Sequence, residues 1–148
     1  MRSQNLSDLP TANITRSSFI AREAMYADLD LLFRPNPASG DINPIRDIEA
    51  VKRSVINLVM TNFNERPFQP EIGSSVRGLL FEPADELTMY SIEDAIRMVI
   101  LNFEPRARIL SIASEFLDNE NAYRMTLEFQ VLSTEQVATT TLVLERIR

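Results

Sequence analysis

Histidine, cysteine and tryptophan are absent from this 148-residue chain, glycine occurs three times, and Lys52 is the sole lysine. Each absence removes chemistry. Without Cys there is no disulfide and no thiolate metal site. Without His the Ser-His-Asp triad, the Cys-His dyad and imidazole metal ligands are gone. One lysine weakens any Schiff-base or P-loop scheme, and Gly40, Gly73 and Gly78 form neither G-x-G-x-x-G nor G-x-x-x-x-G-K-[ST]. No apolar run approaches the ~18–20 residues of a membrane span, and Met1–Pro10 lacks the basic-then-apolar layout of a signal peptide. A formal net charge of −6 argues against nonspecific nucleic-acid binding, whose affinity comes mostly from phosphate neutralisation. The expectation is no cofactor, no metal, no nucleic acid and no membrane.

What remains is ordinary in bulk: 45% hydrophobic and 24% charged residues, the balance of one globular domain. A chain of this length can bury roughly 70% of its unfolded surface in a single core. Residues 1–24 are polar and rich in Ser, Thr and Asn. They read either as a flexible arm or as an arm that orders on a neighbouring subunit. The domain proper is expected over residues 25–148.

Tyr26–Phe33 alternates Ala27, Leu29, Leu31 and Phe33 with Tyr26, Asp28 and Asp30, which predicts a strand with one wet face. Asn43-Pro44 has the form of a helix start. Ile45, Ile48, Val51, Val55, Leu58 and Val59 then recur at three and four, predicting an amphipathic helix to about Asn62. Pro67 and Pro70 forbid its continuation. A short helix is expected over Ser74–Phe81, and a third from Ser91 to Phe103, ended by Glu104-Pro105. Period two then returns in Arg108–Leu117, in Tyr123–Val131 and in Val137–Ile147. The predicted class is α+β. About four strands, the N-terminal one joined to a C-terminal antiparallel meander, form a sheet covered on one face by about three helices.

Paired carboxylates are the only catalytic vocabulary left. Asp28 and Asp30 share a strand face, roughly 7 Å apart at Cα. Nothing in the pattern places one acid in an apolar pocket opposite a second, as a glycosidase requires, and no segment has EF-hand spacing. The fourteen arginines are more informative, because Arg makes planar pairs with carboxylates and is enriched at interfaces. Two acid–Arg pairs flank proline at predicted helix ends: Glu65-Arg66-Pro67 and Glu104-Pro105-Arg106. Each is either an ion pair inside the domain or a preorganised fork offered to another chain. Spacing alone leaves both open.

The same residues carry a family resemblance over about 24–148. Tyr26–Phe33 resembles the opening strand, and Asp47–Thr61 the first helix, of the small baseplate wedge proteins of contractile-tailed bacteriophages. That family is shared with the type VI secretion baseplate. Asn64-Glu65-Arg66-Pro67-Phe68-Gln69-Pro70-Glu71-Ile72-Gly73 is similar to its G-E-R-P-F-x-P-x-x-G loop, and Phe103-Glu104-Pro105-Arg106 to its Glu-Pro-Arg motif. Asn64 stands where Gly is usual, and Asn tolerates a left-handed backbone best after Gly. Gln69 stands where a basic residue is common.

The resemblance implies a fold like the strand-exchange domain of the tail sheath protein, and a structural, non-enzymatic role. It implies a place in the virion tail baseplate, after assembly in the bacterial host cytoplasm, in about six symmetric copies. Glu104, Pro105 and Arg106 would then meet the helical bundle of larger baseplate wedge subunits, with Glu65, Arg66 and Pro67 supporting the same region. An open sheet edge at Val137, Thr139, Thr140, Thr141 and Val143 would take a strand of the tail sheath protein and so initiate the sheath. The alternative is a tail-associated peptidoglycan hydrolase, since members of this family have been labelled lysozyme-like.

Overall fold

The computed structural model describes residues 26–146. The arm at 1–24 and Ile147, the last position of the expected closing strand, lie outside them. In chain order the elements are β1 (Ala27–Leu29), β2 (Pro44–Arg46), α1 (Asp47–Met60), α2 (Val76–Leu79), α3 (Glu86–Phe103), β3 (Ala107–Leu117), β4 (Ala122–Val131) and β5 (Gln136–Glu145). The class is α+β. β3, β4 and β5 form an antiparallel sheet in that order, with the helices on one face.

Alternation builds the sheet. In β4, Tyr123, Met125, Leu127, Phe129 and Val131 are buried, while Arg124, Thr126, Glu128 and Gln130 face the wetter side. The polar face is laced across strands by Arg124–Glu115 at 2.8 Å and Ser111–Glu128 at 3.0 Å. Val51, Val55, Leu58 and Val59 of α1 and Ile92, Ile96, Val99 and Ile100 of α3 supply the other half of the core. Each stripe recurs at three and four, so a single helix face is buried.

β1 departs from expectation. It pairs not with the large sheet but with β2, Ala27 opposite Arg46 and Leu29 opposite Pro44. Its faces are also reversed: Leu29 is 60% exposed and Asp30 only 7%. The aspartates turn inward because cations lie there, Arg106 within 3.7 Å of Asp28 and Arg53 within 3.9 Å of Asp30.

Helix starts differ too. Pro44 serves in a two-strand edge, where no ladder N–H is needed from it, and α1 begins three residues later at Asp47. α3 opens at Glu86 rather than Ser91. The Asp85 carboxylate accepts the Thr88 N–H at 2.7 Å and caps it there, which holds its pKa below the ordinary range. Ser91 instead donates to the Leu87 carbonyl inside the helix, at 2.9 Å. α2 is shorter than expected because Ser74 is drawn into the preceding loop. Its N–H donates to the Thr61 carbonyl at 2.8 Å and its hydroxyl to that of Val59 at 2.7 Å.

Candidate functional site

The end of α3 delivers Glu104 into the interior, 2% exposed. The Glu104 N–H closes the last turn on the Ile100 carbonyl at 2.9 Å, and Pro105 prevents another turn. Arg106 then folds back. Its Nε donates to Glu104 Oε1 at 2.6 Å and its Nη2 to Oε2 at 2.9 Å. This is a side-on bidentate pair, two charge-assisted hydrogen bonds of the strong class. Burial raises the Glu104 pKa, but the Arg106 hydrogen bonds, the Ser54 hydroxyl and the Arg106 charge outweigh it, and the net direction is below the ordinary value. The Glu104 hydrogen bonds raise the Arg106 pKa in turn. Arg106 Nη1 lies 3.7 Å from Asp28, and its guanidinium carbon stands 5.2 Å over the Tyr26 ring. The fork is thus closed inside the domain. It ties β1 to the α3 terminus, while Pro105 remains exposed.

The second acid–Arg pair separates. Glu65 accepts from the Asn62 N–H at 2.8 Å and from its Nδ2 at 2.6 Å, with Arg77 at 3.8 Å. The backbone hydrogen bond from Asn62 leads in pulling its pKa below the ordinary value. Arg66 has no ion-pair partner among the described residues. It lines a groove of about 280 Å³ with Asp28, Leu31, Arg53, Ile72 and Phe103. Two local features fix the course of the loop holding both. Asn64 sits at φ 67, the left-handed conformation for which Asn substitutes for Gly. Gly73 passes so close to Asn62 that a Cβ would lie 2.5 Å from its carbonyl carbon. At the loop tip Phe68 is fully exposed, with φ 69.

Both flanks of the three-stranded sheet are open among the described residues, and they are unlike. β3 has a register shift between Ile109 and Ser111, a bulge of the kind that blunts an edge. β5 keeps one register along all ten residues. It points Val137, Thr139, Thr141 and Val143 outward, with Thr140 half-buried. Clefts of about 500 and 340 Å³ separate its two ends from α1.

Residues 46–136, more than half of the chain, match the family model for the baseplate wedge protein gp25. The chain belongs to that family. Its relative in Enterobacteria phage T4, the baseplate wedge protein gp25, is 28% identical over 88 residues, 60% of this chain. The chain covers 66% of that relative, just under two thirds of its length. Solved structures show the same fold. A protein of Geobacter sulfurreducens bearing a provisional tail-lysozyme name aligns with TM-score 0.64 at 21% identity, over 68% of this chain and 91% of its own. A component of the anti-feeding prophage baseplate aligns with TM-score 0.58 at 20% identity, over 83% and 87%. One from the post-contraction pyocin R2 baseplate aligns with TM-score 0.51 at 17% identity, over 81% and 98%.

In this baseplate wedge chain the Glu-Pro-Arg segment and the Arg66 loop meet through Asp28, which touches Arg106 and lines the Arg66 groove. The β5 edge lies apart from both. Asp28, Asp30, Arg53 and Tyr26 were not anticipated as part of the arginine network. Their signal was present as two acids at i and i+2 in an otherwise apolar strand. Among the described residues there is no cluster of three or more His, Cys, Asp or Glu able to hold a metal ion, and no helix long and apolar enough to cross a membrane.

Proposed function

We propose that this chain is a structural joint of a contractile-tail baseplate, docking on larger wedge subunits and starting the sheath by accepting a sheath strand. The observation that carries the reading is the regular β5 edge, uncovered among the described residues. Its unpaired backbone groups offer a ten-residue template, and the clefts beside α1 give an added strand room to lie. On the wedge side, Arg66 is the cation of the acid–Arg pairs that has no ion-pair partner among the described residues. Glu104 acts by positioning Arg106, and Pro105 is the exposed element of that motif. The proposed setting is the tail baseplate of the virion, with assembly in the host cytoplasm and about six copies around the tail axis.

The hydrolase alternative asks for an acid whose pKa is raised so that it can protonate a leaving group. Glu104, the most buried carboxylate among the described residues, is displaced in the opposite direction by Arg106. The lysozyme name of the Geobacter relative belongs to that protein and transfers only a fold.

Proline scanning tests the edge. In an antiparallel pair adjacent residues send their N–H groups to opposite sides, so of Thr140→Pro and Thr141→Pro one removes an outward donor and spares the β4 ladder. That variant is expected to fold and join baseplates but to build no sheath. Normal sheath growth from it would refute strand addition at β5.

A further inference from the structure

α3 is apolar on two opposite sides. Its inner stripe is the core. On the outer side Leu87 is 73% exposed, Tyr90 58%, Met98 48% and Leu101 71%. At 100° per residue these four and Asp94 fall within roughly 80° of arc, centred opposite the buried stripe. Scattered surface hydrophobics are normal, but a continuous line is not. The line runs about 21 Å along the axis and ends at Leu101, which with Pro105 borders a groove beside the Glu-Pro-Arg segment.

We infer that this outer stripe is a helix-docking surface, and that its occupant is an amphipathic helix of another baseplate subunit with a basic residue near its centre. Charge selects that occupant. Asp94 lies mid-stripe and has no ion-pair partner among the described residues. Pairing with a second copy of α3, antiparallel about its midpoint, would set Asp94 against Asp94, a like-charge contact that disfavours self-association. A partner cation opposite Asp94, and a partner acid toward Arg97 at the C-terminal end, complete the match. This inference rests on the assembly role proposed above and extends the Glu-Pro-Arg surface along the whole of α3.

The chain's lack of cysteine makes the test direct. Met98→Cys installs a single thiol within the stripe, one turn beyond Asp94, at an exposed position, so the fold is kept. In purified baseplates its maleimide labelling is expected to slow about tenfold or more relative to the isolated chain, as in the core of an interface. A photo-crosslinker on that thiol is expected to capture a helical segment of a different subunit. Asp94→Lys, in the full chain, is expected to lower incorporation about tenfold by facing the partner's cation with another. Undiminished labelling in baseplates that contain the chain would overturn the docking surface alone. So would a crosslink to a second copy or to the chain's own first 25 residues. Absence of the unmodified chain from baseplates would overturn the assembly role and this inference together.

Discussion

Replacing Arg106 by Ala removes two short hydrogen bonds and the countercharge from a carboxylate that is 2% exposed. Breaking a fully buried pair from one side costs about 3–5 kcal/mol. Two features reduce that here: the Arg106 side chain is 24% exposed, and Ser54 still hydrogen-bonds Glu104. The stranded acid can also take up a proton, which limits the penalty at about 1.4 kcal/mol per pH unit of displacement. The expected loss is about 2–3 kcal/mol, or a melting temperature lower by roughly 4–12 °C. Far-UV circular dichroism with urea on the isolated chain measures it. The pH profile adds a sharper signature. In the native chain Glu104 has a depressed pKa, so its stabilisation is complete above the unfolded value of about 4.3 and is lost as pH falls through the lower folded value. In Arg106→Ala only burial and Ser54 remain, burial lifts the pKa above the unfolded value, and stability rises as pH drops from 7 toward 5. A double cycle with Glu104→Gln is expected to give a coupling of about 2 kcal/mol. A loss under about 0.5 kcal/mol with an unchanged pH profile is the behaviour of a screened surface pair and would refute the closed fork.

Other perturbations read other parts of the molecule. Gly73→Ala drives a Cβ into the Asn62 backbone and is expected to cost about 1–3 kcal/mol by overpacking. An unchanged urea midpoint would count against the tight closure of the Glu65–Arg66 loop. Tyr123→Phe deletes a buried hydroxyl with no hydrogen-bond partner among the described residues, so stability is expected to hold or rise by up to about 1 kcal/mol. A loss of that size would reveal a hidden partner. Below pH 4, stability is expected to fall as Glu104, Glu65 and Asp85, all with depressed pKa values, bind protons in the unfolded chain first. A titration followed by circular dichroism that stays flat to pH 2 would contradict this.

The parts of the fold that local pattern dictates were legible. β4 could be read residue by residue because its two faces meet different solvents along its whole length. The buried stripes of α1 and α3 were equally plain. Alternation in β1, by contrast, announces two faces without saying which is inner. That is settled by Arg106 and Arg53, distant in sequence. The start of α3 was obscured because Leu87 and Tyr90 point outward, so the inner stripe becomes visible only from Ile92. Asn43-Pro44 has the chemistry of a helix cap, yet tertiary pairing with β1 takes Pro44 into a strand. Among the site residues, sequence alone left the two acid–Arg pairs equivalent. Three-dimensional placement separates them into a closed fork at Arg106 and, at Arg66, a cation with no ion-pair partner among the described residues.

The contrast between the two flanks of the sheet gives the molecule a direction. A sheet with two regular edges can be extended from both sides by its own copies, the route to open-ended fibres. Here the bulge at Leu110 interrupts the β3 flank and leaves β5 as the one regular edge among the described residues. Under the strand addition proposed above, such a chain would act as a primer, able to begin a polymer but poorly suited to becoming a link within one.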